Sequence, residues 1–199
     1  MSALILFAQD VAVVVLPFLC FGCSSPHDDS QRRGIWRTAG SGFIEGRIHH
    51  GIPILQKSLY WDGNGEVDNT GLGAHAAGFV ADGVALGGGL EVASWWTPGK
   101  DVYSAEAEGL LRIYPSKSWP LFLDGTAGFQ EANHDIPPGG TMWNFTFGFG
   151  GGVDLPICER TSLLLGTTYH HISNALGREN DRNPSQNEVR LWIGFAWSF

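Results

Sequence analysis

The chain has 199 residues, 28 of them glycine, 12 phenylalanine and 8 tryptophan, with only 16% charged and a formal net charge of −8. The negative balance argues against a nucleic-acid partner, because phosphate binding calls for Lys and Arg in excess. No run beyond the N-terminal stretch reaches the roughly 18 apolar residues that a spanning helix needs, and the length suits one domain.

The first 22 residues are apolar, broken by Gln9-Asp10 and Pro17, and lead into Cys20-Phe-Gly-Cys23 and the polar stretch His27–Arg33. This reads as an export signal over 1–23 without the usual basic start, followed by a polar segment over 24–37. Ordinary removal of the signal is preferred to lipidation at Cys23. Cys20 and Cys23 have metal-like or redox-like spacing but no partner pair, and Cys158 is expected to be a lone turn thiol.

From residue 38 to 199 the pattern is that of a single transmembrane β-barrel. Alternation and turn signals predict strands near 39–49, 70–81, 84–96, 102–114, 120–131, 141–155, 161–173 and 188–199. In the sixth, Trp143, Phe145, Phe147, Phe149, Val153 and Leu155 alternate with Asn144, Thr146, Gly148, Gly150, Gly152 and Asp154. The eighth places Val189, Leu191, Ile193, Phe195, Trp197 and Phe199 on one face, opposite Glu188, Arg190, Gly194, Ala196 and Ser198. Trp192 is the bulky exception on that second face. A wall that is greasy outside and small or polar inside is an eight-stranded antiparallel outer-membrane β-barrel, closed so that the terminal strand is paired.

Charged residues on the inner parity then fill the lumen. Ser104, Glu106, Glu108 and Arg112 share one face of the fourth strand and, with Glu45, Arg47, Glu91, Asp124 and Arg190, are expected to form a paired interior network. His49, His50 and His75 look isolated from any carboxylate cluster, so no metal site is expected there, and no cofactor is implied. Short links at 82–83, 115–118 and 156–160 alternate with long ones at 50–69, 132–140 and 174–187, the link at 97–101 being short. Short turns facing the periplasm put both barrel ends of the chain on that side and the end of the seventh strand at the outer leaflet.

That seventh strand ends Thr167-Thr-Tyr-His-His171-Ile-Ser173. Leu163, Leu165, Thr167, Tyr169, His171 and Ser173 share a face, lipid-facing if the leucines are a guide. A histidine and a serine there form a candidate base and nucleophile for acyl transfer. The alternative is a polar pair in the headgroup zone with no chemistry.

Tyr169-His-His171-Ile-Ser173-Asn174-Ala175, then Asn183-Pro184-Ser-Gln-Asn187-Glu188 and a strand ending at Phe199, resembles the lipid A 3-O-deacylase (PagL-type acyloxyacyl hydrolase) family, as does Gly140–Phe145 followed by Phe147–Val153. The likeness is specific over about the last sixty residues and general before them. It implies a serine esterase of the bacterial cell outer membrane that removes the 3-O-linked acyl chain of lipid A in lipopolysaccharide. By that likeness His171 is the general base, Ser173 the nucleophile, and Asn174 and Asn183 shape the oxyanion environment. The family's glutamate falls on Asn187, with Glu188 one residue later: either the Asn187 amide orients the histidine, or a bulge turns Glu188 outward. The competing expectation is a non-catalytic small barrel, structural, adhesion-type or a degenerate relative of the deacylase.

Overall fold

The computed structural model describes residues 37–54, 65–174 and 184–199. The proposed signal, the polar segment before residue 37 and Asn183 all lie outside those residues. Eight strands follow one another around a closed barrel: β1 (Gly42–Pro53), β2 (Asn69–Ala81), β3 (Val84–Thr97), β4 (Lys100–Ile113), β5 (Leu121–Ile136), β6 (Thr141–Pro156), β7 (Thr161–Ser173) and β8 (Gln186–Ser198). Every neighbouring pair is antiparallel, and β1 pairs with β8 to close the ring. Gly42 and Phe199 exchange backbone hydrogen bonds at 2.9 Å, so the final residue lies in the closing seam.

Several strand boundaries depart from the expectation. β5 runs on to Ile136 through a register shift after Glu131, so the long connection expected at 132–140 is a tight turn with Gly139 at φ 85. β1 extends to Pro53 because its partners on β2 and β8 continue the ladder past His49. β8 begins at Gln186 rather than 188, which brings Asn187 into the sheet. The link at 97–101 tightens to a hairpin at Pro98-Gly99, where φ 75 at Gly99 is the left-handed geometry that glycine adopts without a Cβ clash.

Alternation sorts the side chains as the sequence predicts. Leu72, Leu90, Val92, Leu111, Leu123, Leu191 and Ile193 are exposed on the outer wall, with Trp96, Tyr103 and Trp143 near the end that carries the longer connections and Trp119 and Phe199 near the other. A soluble protein would bury such a surface, whereas lipid accommodates it.

The lumen is layered. Toward the short turns Phe43, Phe79, Tyr114, Phe122 and Trp192 form a ladder of rings with successive centroids 5.8–6.0 Å apart. Leu164, on the face opposite Leu163 and Leu165, is fully buried in this layer. At the opposite end Val67, Trp95, Val102, Ile136 and Ile172 make a second apolar cluster. Between them lies the expected charged network: Arg112 reaches Glu45 and Asp124 at 2.7 Å, Arg47 bonds both carboxylates, and Arg190 joins Glu91 at 2.8 Å and Glu188 at 2.7 Å. Arg112 also stacks over Phe122 and Arg47 over Trp192, 4.1 and 4.4 Å from the ring centroids, which ties the polar layer to the aromatic ladder.

Candidate active site on the outer wall

Register brings three strands together at the outer end of the β6–β7–β8 wall. Phe147 faces His171, Phe145 faces Ser173, and His171 faces Asn187. Asn187 shares the parity of Val189 and Leu191 and therefore projects outward with His171, a consequence of β8 starting early enough to include it.

The imidazole is pinned. His171 Nδ1 lies 2.7 Å from Asn187 Oδ1, and the Tyr169 hydroxyl donates to the same oxygen at 2.6 Å. Because Oδ1 can only accept, Nδ1 carries the proton, which leaves the Nε2 lone pair as the basic position. His171 and Asn187 are buried against their neighbours, while Ser173 and Asn174 are half-buried. Phe147, Phe149 and Tyr169 pave the wall beside them, the last two rings 4.9 Å apart. Ser173 stands two residues from His171 on the same face. Among the described residues no hydrogen bond joins its hydroxyl to the imidazole.

The two candidates for the third position lie on opposite faces of β8. Glu188 points into the lumen, fully buried, where it accepts from Arg190 Nε at 2.7 Å, from Asn69 Nδ2 at 2.5 Å and from Gln186 Nε2 at 3.0 Å, and faces His170 Nδ1 at 3.1 Å. No bulge turns it outward, because the β7–β8 ladder is unbroken from Thr161↔Trp197 to Ile172↔Gln186. Glu188 therefore makes no contact with His171, and of the two alternatives it is Asn187 that hydrogen-bonds the imidazole.

Two further expectations are corrected. Cys158 is disulfide-bonded rather than a lone thiol. His49 and His75 are not isolated from carboxylates: His75 Nε2 is 2.6 Å from Glu108 Oε1, and His49 Nδ1 is 3.7 Å from Glu91 Oε2. His50 does face outward, bonded to Thr70 Oγ1 at 3.1 Å beside Trp96. Tyr169 is the site residue that sequence reasoning left out; its parity with His171 was the available signal.

No known protein-family profile matches the sequence, and no curated protein matches it. Among solved structures the barrel is similar to Neisserial surface protein A (NspA), with a TM-score of 0.55 at 14% identity over 80% of this chain and 99% of that one. Weaker likenesses include the outer membrane protein OprG from Pseudomonas aeruginosa (TM-score 0.45, 19% identity, 84% of this chain and 98% of that one). The N-terminal β-barrel domain of Pseudomonas aeruginosa OprF is similar at TM-score 0.47 and 14% identity, over 81% of this chain and 98% of that one. At 14% identity the likeness to NspA speaks to the fold alone. The closed eight-stranded barrel with a lipid-compatible exterior is an outer-membrane barrel, and the bacterial outer membrane is where it resides.

Proposed function

We propose that the outer wall at His171 and Ser173 is a serine esterase site acting on an ester-linked acyl chain of an outer-leaflet lipid, the 3-O-acyl chain of lipid A being the substrate that the motif resemblance implies. The observation that carries this reading is the outward Asn187–His171 hydrogen bond at 2.7 Å, which fixes the tautomer needed for a base at Nε2.

Nε2 takes the Ser173 hydroxyl proton as Oγ attacks the ester carbonyl. The tetrahedral adduct collapses with the sugar oxygen leaving, and that oxygen recovers the proton from the imidazolium. Water, deprotonated by the same nitrogen, then releases the fatty acid from the acyl-serine. Asn174 and Asn183 are candidates to hold the developing oxyanion, each such donor contributing about 2.7–4 kcal/mol. The aromatic wall of Phe145, Phe147 and Phe149 offers apolar surface for the acyl chain. With Asn in place of a carboxylate the imidazole is oriented while the imidazolium gains less stabilisation, so turnover slower than in an acid-containing triad is expected.

A second reading is a non-catalytic barrel. Two observations favour it: the absence of a Ser173–His171 hydrogen bond among the described residues, and His50, a second outward histidine in the belt beside Trp96 that has no serine two residues on. Mass spectrometry of lipid A from cells expressing the chain, Ser173→Ala or His171→Ala separates the two. Loss of the 3-O-acyl chain with the wild type and not with either variant, at equal membrane insertion, supports the esterase. Intact lipid A with the wild type leaves the structural barrel.

A further inference from the structure

The charge inventory of the lumen does not close with arginine alone. Glu45, Glu91, Glu106, Glu108, Asp124 and Glu188 are buried there against Arg47, Arg112 and Arg190, whereas Asp154 is paired separately with Arg37. His170 faces Glu188 through Nδ1 and Glu106 through Nε2, at 3.1 and 3.3 Å; a ring that donates from both nitrogens is an imidazolium and adds one positive charge. Glu45 and Asp124 share Arg47 and Arg112, while Glu106 and Glu188 share Arg190 and His170. Two formal negative charges remain: Glu108 has no arginine or imidazolium beside it, and Glu91 shares the single Arg190 with Glu106 and Glu188, so the excess centres on Glu91 and Glu108.

That place is the meeting of β2, β3 and β4. His75, Glu91 and Glu108 are all buried, and one donor atom from each lies within 4.8 Å of the others. Glu108 finds its partner in His75 Nε2 at 2.6 Å, and Glu91, one oxygen of which is taken by Arg190, turns the other toward the same nitrogen at 3.8 Å. A second, independent observation sits on the same ring: His75 Nδ1 is buried with no hydrogen-bond partner, 3.7 Å from Glu45 Oε1. The wall is also cut away for the cluster. A Cβ on Gly89 would run into the His75 ring, and one on Gly73 would sit 2.9 Å from Glu91 Oε1.

We propose that His75, Glu91 and Glu108 bind a divalent cation of the first transition row, such as zinc, inside the barrel. An imidazole with two carboxylate oxygens is a borderline donor set suited to that class. The ion takes the place of the hydrogen between His75 Nε2 and Glu108, that proton moving to His75 Nδ1 on the side of Glu45, so the imidazole stays neutral and the two positive charges of the ion offset the two formal negative charges. Apolar layers close the lumen on both sides of the cluster, so the ion enters as the strands come together and the site is filled during folding.

The test uses the full untagged chain, refolded from urea into detergent with Zn2+ or with EDTA and then freed of excess ion. The wild type refolded with Zn2+ retains about one zinc per folded chain by mass spectrometry of the metal, and unfolds at a higher urea concentration than the EDTA preparation. Glu108→Gln loses the retained zinc, and the exterior variant His50→Ala keeps it. Where Glu108→Gln does not fold, the zinc-edge absorption spectrum of the wild type decides, reading carboxylate oxygens together with imidazole. No retained zinc in the wild type, equal retention in folded Glu108→Gln, or a zinc shell that contains sulfur or lacks imidazole overturns the proposal.

Discussion

Asn187 and His171 meet across the β7–β8 seam as direct register partners, their side chains on the lipid side and Oδ1 2.7 Å from Nδ1. The amide does what a carboxylate would do for tautomer and orientation but brings no charge. Asn187→Leu is expected to lower fatty-acid release at least about tenfold, the equivalent of one hydrogen bond of roughly 1.5 kcal/mol lost from the transition state. Asn187→Asp, which adds the missing charge, is expected to equal or exceed the wild type. Lipid A deacylation measured against membrane-inserted protein checks both.

Tyr169 donates to the same oxygen at 2.6 Å and holds the amide with its carbonyl toward His171. Removing that donor in Tyr169→Phe frees the amide to rotate. A three- to tenfold fall in release is expected, from a hydrogen bond of about 0.5–1.5 kcal/mol, with KM little changed because the hydroxyl is spent on Asn187 Oδ1. A pH–rate profile of the variant adds a readout that a purely structural role would not move.

Glu188 makes the opposite case. Glu188→Gln breaks a fully buried cluster with Arg190 and His170, for which a loss of about 3–5 kcal/mol is typical, so the midpoint of urea unfolding in detergent should fall markedly. Release per folded molecule should stay near the wild-type value. A folded Glu188→Gln barrel without activity would place the carboxylate in the site after all.

Gly166 faces Trp192 across the β7–β8 ladder, and a Cβ there would press into the indole. The ring is held in place by its own hydrogen bond to Thr168 Oγ1 at 3.0 Å and by Arg47 stacked on it. Gly166→Ala should destabilise the barrel by about 1–3 kcal/mol through overpacking. Urea titration followed by tryptophan fluorescence reads this directly.

The architecture was legible in the sequence because a membrane barrel writes its two faces as a strict period of two, clearest at 143–155 and 188–199. Even Trp192, the odd bulky residue on the inner face, belongs to the interior ring ladder. Strand ends were less legible. β5 passes Glu131 through a register shift that alternation alone does not register, and β8 includes Gln186 and Asn187 because their partners Ile172 and His171 extend the ladder. That extension is what a single sequence leaves open between Asn187 and Glu188, since one residue of offset exchanges outside for inside. The His75–Glu108 contact was hidden for another reason. Thirty-three positions separate those residues, and only the sheet order that sets β2 and β4 on either side of β3 brings them together.

The greasy layers that cap the charged slab also bear on passage through this cylinder. With rings at one mouth and Trp95, Val102, Ile136 and Ile172 near the other, the described interior offers no continuous aqueous thread for ions to follow. Planar-bilayer recordings should therefore find it electrically silent. A closed axis of this kind accords with the proposal that puts the chemistry on the flank, among neighbouring acyl tails.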